Sequence, residues 1–176
     1  MRLRRTLAAL TAATLALTGC GNDTPISPQS TGAAATSAAQ KAPAPPAVPL
    51  DATAVLMKLN AAKIGLTHGA VQDEDTDPND LLGRPNGYTS RASADLPGGD
   101  SEAEKYGIDR GLVIEVWPTA DDAERRSKFI QDTLKSMQML GTEYHYRADE
   151  GRALVRVSGK VKPSQAKKIE TAVAGL

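Results

Sequence analysis

The residues of this chain whose types and spacing could do chemistry fall into a few small groups. Asp73, Asp75, Asp77 and Asn79 alternate as the first oxygen ligands of a calcium loop do. The rest of such a loop is missing: its sixth position, which needs glycine for a sharp turn, is Pro78, and its twelfth, which needs a bidentate glutamate, is Arg84. Ser164 and Lys167 have the Ser-x-x-Lys spacing in which a lysine activates a serine at a helix start, but no Ser-Asp-Asn or Lys-Thr-Gly follows, and no Gly-x-Ser-x-Gly elbow occurs. His68 and His145 are the only imidazoles, and neither has a second histidine or a glutamate at metal-ligand spacing. These patterns predict a solvated acidic loop around Asp73 to Asp80, an exposed loop residue at His68 and a sheet-surface residue at His145. They point to no metal, no bound cofactor and no catalytic group.

The remaining candidate is Cys20, the only thiol in the chain. It follows Arg2, Arg4 and Arg5, an apolar run from Leu7 to Leu17, and the small residues Thr18 and Gly19. That three-part order is the form of a secretory signal. Its apolar core is about a dozen residues, against the roughly 20 that a membrane-spanning helix needs. Leu17-Thr18-Gly19-Cys20 resembles the lipobox of bacterial lipoproteins. The resemblance implies cleavage between Gly19 and Cys20, a diacylglyceryl thioether on the sulfur and an N-acyl chain on the new terminus. Two or more acyl chains make a stable anchor, because each buried methylene contributes about 0.8 kcal/mol. The expected address is the extracytoplasmic face of the plasma membrane, with residues 1–19 removed.

Composition limits what the exported chain can bind. The full sequence has 21 basic and 21 acidic residues, and loss of the three signal arginines leaves 18 against 21, a net charge of −3. An acidic balance argues against nucleic acid as a partner. With Cys20 as the only cysteine, no intrachain disulfide can form, and the domain must rest on its own core. Residues 21–50 contain six prolines, eight alanines and six serines or threonines. Such a stretch predicts a disordered tether, about 30 Å long as a coil, so that 20–50 comprises the lipidated cysteine and its linker. From Asp51 onward there are 126 residues, enough for one domain.

The elements that must position any site follow from periodicity. Val55, Leu56, Leu59 and Ala62 predict a first helix capped by Asp51 and ended by Gly65, and Asp77 to Gly83 reads as a single capped helical turn. Tyr88 to Leu96 alternates as a strand, and Leu112 to Trp117 is the strongest strand signal. Thr119 to Asp122 is a capping box for a long helix with Ala123, Ser127, Ile130, Leu134 and Met137 inward. Two strands, Glu143 to Arg147 and Arg152 to Ser158, flank an Asp149-Glu150-Gly151 turn. Ala166, Ile169, Val173 and Leu176 form the inner face of a last helix that begins at Pro163. The order helix-strand-strand-helix-strand-strand-helix predicts an α+β domain at 51–176, with an antiparallel sheet of about four strands and its helices mainly on one face. Alternation then puts Leu112, Ile114, Val116, Val155 and Val157 on the helix side and leaves Val113, Glu115, Trp117, His145, Arg147, Leu154 and Arg156 on the other. Because Trp and Arg are favoured contact anchors, Trp117, Glu115, Arg147 and Arg156 form a candidate interaction surface, unless the first helix covers them.

From lipobox and proline-rich tether to Asp77-Pro78-Asn79-Asp80-Leu81-Leu82-Gly83-Arg84-Pro85 and Pro163-Ser164-Gln165-Ala166, the chain is similar to small uncharacterised cell-envelope lipoproteins of actinomycetes. That resemblance implies a lipid-anchored envelope protein without assigning an activity. The expected function is a non-catalytic domain that binds another envelope protein or a cell-wall component. The alternative is a small hydrolase or wall-modifying enzyme, which requires a cleft where carboxylates and histidine converge.

Overall fold

Helix α1 (Ala52–Ala61) starts where Asp51 Oδ1 accepts from Ala54 N at 2.7 Å, as the sequence predicts. A computed structural model describes residues 50–176, so the signal, Gly19, Cys20 and most of the tether lie outside the described residues. After α1 come β1 (Thr67–Gln72), β2 (Ser90–Asp95), β3 (Gly111–Val116), α2 (Ala120–Ser136), β4 (Glu143–Ala148), β5 (Ala153–Ser158) and α3 (Pro163–Ala174). The fold class is α+β, with one open antiparallel sheet in the order β1-β2-β3-β5-β4.

Two expectations are corrected. The sheet has five strands rather than about four, because Thr67 to Gln72 pairs with β2 although its sequence carries no apolar alternation. The helices also divide between the two faces. Ala52, Val55 and Leu59 of α1 and Ile169 and Val173 of α3 pack with Ala92, Leu112, Ile114, Val155 and Val157 in the main core. On the opposite face Ala123 of α2 packs with Tyr88, Trp117 and Leu154 in a smaller cluster. The alternation of β3 and β5 is as predicted, but Tyr88 lies before β2 and packs on the second face, away from Ala92 and Leu96, and that face is covered by α2 and not by α1.

Two local differences matter to the site. Asp77 to Gly83 forms turns rather than a helical turn, although Asp77 still caps it: Oδ1 accepts from Asn79 N, and Oδ2 accepts from Leu81 N and Leu82 N. The predicted inner stripe of α2 shrinks to Ala123 and Ile130, and Met137 lies exposed beyond the helix. The Thr119 cap is present, its hydroxyl accepting from Asp122 N at 3.1 Å. The Asp149-Glu150-Gly151 turn joins β4 to β5 with all three residues at positive φ. Leu50 packs against the main core, which extends the domain one residue before the expected boundary.

Candidate functional site

The second face of the sheet carries a polar or charged residue on every strand, and covering them forces them to pair. Gln72 on β1, Arg91 on β2 and Glu115 on β3 lie side by side in register, all three buried. Arg91 donates from Nη1 to Gln72 Oε1 at 2.8 Å and from Nη2 to Tyr106 O at 2.7 Å, while its Nε sits 3.4 Å from Asp77 Oδ1. Tyr88 donates its hydroxyl to the Asp77 carboxylate at 2.5 and 2.6 Å. Burial alone would raise the Asp77 pKa, but the Tyr88 hydroxyl and three backbone N–H donors outweigh it and hold the carboxyl below its usual range. The same bond and burial push the Tyr88 phenol up. Asp77 is therefore committed to the fold, and Asp73 is tied to Thr76. The alternating acids do not converge as a calcium loop, and among the described residues no group of three or more His, Cys, Asp or Glu is arranged to hold a metal ion.

A second network lies under α2. Arg156 donates from Nε and Nη2 to the two oxygens of Glu143 and from Nη1 to Glu115 Oε1, each at 2.8 Å. Arg126 of α2 brings Nε to 3.5 Å from Glu115 Oε2. His145 completes the chain. Desolvation works to raise the Glu143 pKa, yet hydrogen bonds from His145 and Arg156 bring it down to about 2. An ionised Glu143 can only accept, so His145 donates from Nε2 to Glu143 Oε2 at 2.9 Å, and Nδ1 accepts from the Ser127 hydroxyl at 2.8 Å.

Serine, histidine and carboxylate are thus in line, the residue types of a hydrolase triad. Their surroundings give a clamp instead. None of the three lines a described cavity, Glu143 and His145 are almost fully covered, and Glu143 is shared with a bidentate arginine.

These positions also revise the candidate interaction surface. Trp117, Glu115 and Arg156 are buried, Trp117 edge-on to Tyr88 with ring centroids 5.5 Å apart. Arg147 alone is exposed, paired with Glu124 of α2 at 2.6 Å. The four do not form an accessible surface, because α2 lies over that face. The expected surface position of His145 fails for the same reason.

One part of the second face stays open. Between the β1–β2 end of the sheet and the loop before β3 lies a cavity of about 160 Å³, lined in part by His68, Ser93, Asp95, Lys105, Tyr106 and Arg110. Three backbone features build it. A bulge between Thr67 and Ala70 inserts an extra residue into β1 and places His68 at φ 48°. Tyr106 stands at φ 65°, its carbonyl tied to Arg91. Gly111 has φ 152°, and a Cβ there would come 2.4 Å from Leu96 N, so only glycine lets β3 start this close to the end of β2.

The charges in the cavity are ordered by Asp95. Arg110 donates from Nε to Asp95 Oδ1 at 2.8 Å and from Nη2 to Oδ2 at 2.7 Å, and its Nη1 holds the Ser101 and Ala103 carbonyls. The Arg110 guanidinium keeps the Asp95 carboxyl below its usual range, so Asp95 is an acceptor only. His68 therefore donates from Nδ1 to Asp95 Oδ2 at 3.1 Å, and Nε2 has no partner among the described residues. Lys105 has its ammonium 4.7 Å from the centre of the Tyr106 ring and forms no ion pair among the described residues. Apart from His68, whose exposure was expected, nothing in the sequence marks this group. Asp95, Lys105, Tyr106 and Arg110 become a site only through the bulge and the loop closure.

No protein-family model, no curated protein and no solved structure matches the chain. Among the described residues, no helix is long and apolar enough to cross a membrane.

Proposed function

We propose that this chain is a lipid-anchored protein of the extracytoplasmic face of the plasma membrane, and that its domain binds an envelope protein or a cell-wall component without transforming it. The anchor rests on Leu17-Thr18-Gly19-Cys20 with its basic start and apolar core. A covalent lipid on Cys20 is the only attached group this reading requires.

The observation that carries the binding role is the contrast between the two polar regions of the second face. Serine, histidine and carboxylate meet under α2, and none of the three lines a described cavity. The open cavity presents fixed polar groups, and its serine, Ser93, accepts from Gln72 Nε2 at 3.2 Å rather than facing a paired base. The cavity does pair His68 with Asp95, but it sets no serine or cysteine nucleophile against that imidazole, and this favours recognition of a ligand over its transformation.

Growth with an alkyne-bearing fatty acid tests the anchor. The chain should take up the label and sediment with membranes, and Cys20→Ala should do neither. Label retained by the variant would overturn the assignment.

A further inference from the structure

The cavity's free groups specify more than a generic binding role. Its lining side chains include Arg110, paired with Asp95, and Lys105, the lining cation that forms no ion pair among the described residues. The space, about 160 Å³, equals roughly five liquid waters, which suits a group of a few heavy atoms and excludes a drug-sized molecule. With its Nδ1–H committed to Asp95, the His68 ring in its neutral form presents a lone pair at Nε2. The His68 side chain is 78% exposed, so Nε2 is within a ligand's reach.

A partner that satisfies both groups, which line one small cavity, must carry a negative charge for Lys105 and a hydrogen-bond donor for His68. We propose that the cavity binds a small monocarboxylate with an N–H donor on the adjacent carbon, that is, an N-acylated amino acid such as the last residue of a peptide. The carboxylate takes the Lys105 ammonium, the amide N–H donates to His68 Nε2, and the side chain lies against the Tyr106 ring. A free amino acid fits less well, because its ammonium cancels the charge that Lys105 recognises and places a second cation beside Arg110. The His68 hydrogen bond to Asp95 orients the acceptor before the ligand arrives, and preorganisation of this kind lowers the ordering cost of binding.

This inference rests on the non-catalytic binding role, and one experiment separates the two. The full-length chain in detergent is titrated calorimetrically with N-acetylalanine, with its uncharged methylamide and with free alanine, and the ligand is recovered for mass analysis. N-acetylalanine should bind at least about tenfold more tightly than the methylamide, the size expected when a charge-assisted hydrogen bond is lost. Lys105→Met should remove that preference. His68→Gly, which suits the positive φ, should weaken N-acetylalanine about fivefold or more. Both side chains lie at the cavity rim, and an unchanged circular dichroism spectrum confirms that each variant is folded.

Equal affinity for acid and methylamide, an unaffected Lys105→Met variant, or no heat from any ligand up to about 10 mM would overturn the carboxylate site. Free alanine binding as tightly as its acetylated form would overturn the peptide-end assignment. Recovery of deacetylated alanine would leave the site standing and overturn the non-catalytic reading.

Discussion

Trp117→Ala should cost the domain about 3–4 kcal/mol, and the structure supplies each contribution. Trp117 is 4% exposed and packed among Tyr88, Ala123 and Leu154. An indole in such a place buries about 200 Å², which at about 25 cal/mol per Å² is an upper bound near 5 kcal/mol. The edge-to-face contact with Tyr88 adds about 1 kcal/mol. Against this stands Trp117 Nε1, a buried N–H without an acceptor, whose removal returns about 1–3 kcal/mol. Urea unfolding of the purified chain, followed by far-UV circular dichroism because the only tryptophan is gone, reads the difference directly. The expected fall in melting temperature is about 10–15 °C for a domain of this length. Trp117→Phe keeps the ring and deletes the orphan donor, so it should lose less than about 1.5 kcal/mol. If Trp117→Ala stays within about 1 kcal/mol of the parent at unchanged denaturant slope, α2 does not seal this face and the argument fails.

Acid sensitivity should follow Glu143. Its folded pKa of about 2 lies below the ordinary 4.5, so its stabilisation, about 3 kcal/mol, is fully present above about pH 4.5 and is lost as pH falls toward 2. Glu143→Gln should flatten the stability profile across that window, and an acid limb as steep as the parent's would contradict the assignment. Arg91→Met should destabilise the chain by about 3 kcal/mol, because it leaves Asp77 and Gln72 buried with one fewer partner each and frees the Tyr106 carbonyl. Thermal melts check this, and a loss below about 1 kcal/mol would show that the network is not coupled to folding.

The elements with strong apolar periodicity were legible in the sequence, and those held by polar pairing were not. Leu112 to Trp117 and Ala153 to Ser158 alternate cleanly, and their faces came out as read. Strand β1 was invisible because an edge strand needs few apolar residues, and the inward residue of this one is a glutamine that serves Arg91. The same blindness inverted the interaction surface. Glu115, Arg156 and His145 looked solvent-facing because isolated charges are rarely buried. They are buried as a set, and their partners come from α2 and from residues up to 41 positions away in sequence. Sequence alternation gives the face a residue points to, but not what covers that face.

The cover itself explains why the site lies at the β1 end. Only Ala123 and Ile130 of α2 are buried, so apolar contact alone gives this helix little hold on the sheet. Arg126 and Ser127 supply the rest by reaching Glu115 and His145, both tied to Arg156. Paired buried charges contribute little net stability over an apolar core, but misplacing one leaves a charge unpaired at a cost of about 3–5 kcal/mol. Any shift of α2 along the sheet would do that, so the network fixes its position more than it adds stability. At β1 the opposite holds: the strand has one hydrogen-bonded neighbour, a bulge and an exposed left-handed histidine. The proposed ligand would meet His68 on an edge strand where Asp95 orients the imidazole, while Arg91 ties the Tyr106 carbonyl at the cavity wall to the interior network. Substitutions under α2 should change stability with little effect on the cavity, whereas Arg91, in the neighbouring network with Asp77 and Gln72, should affect both because it also holds the Tyr106 carbonyl.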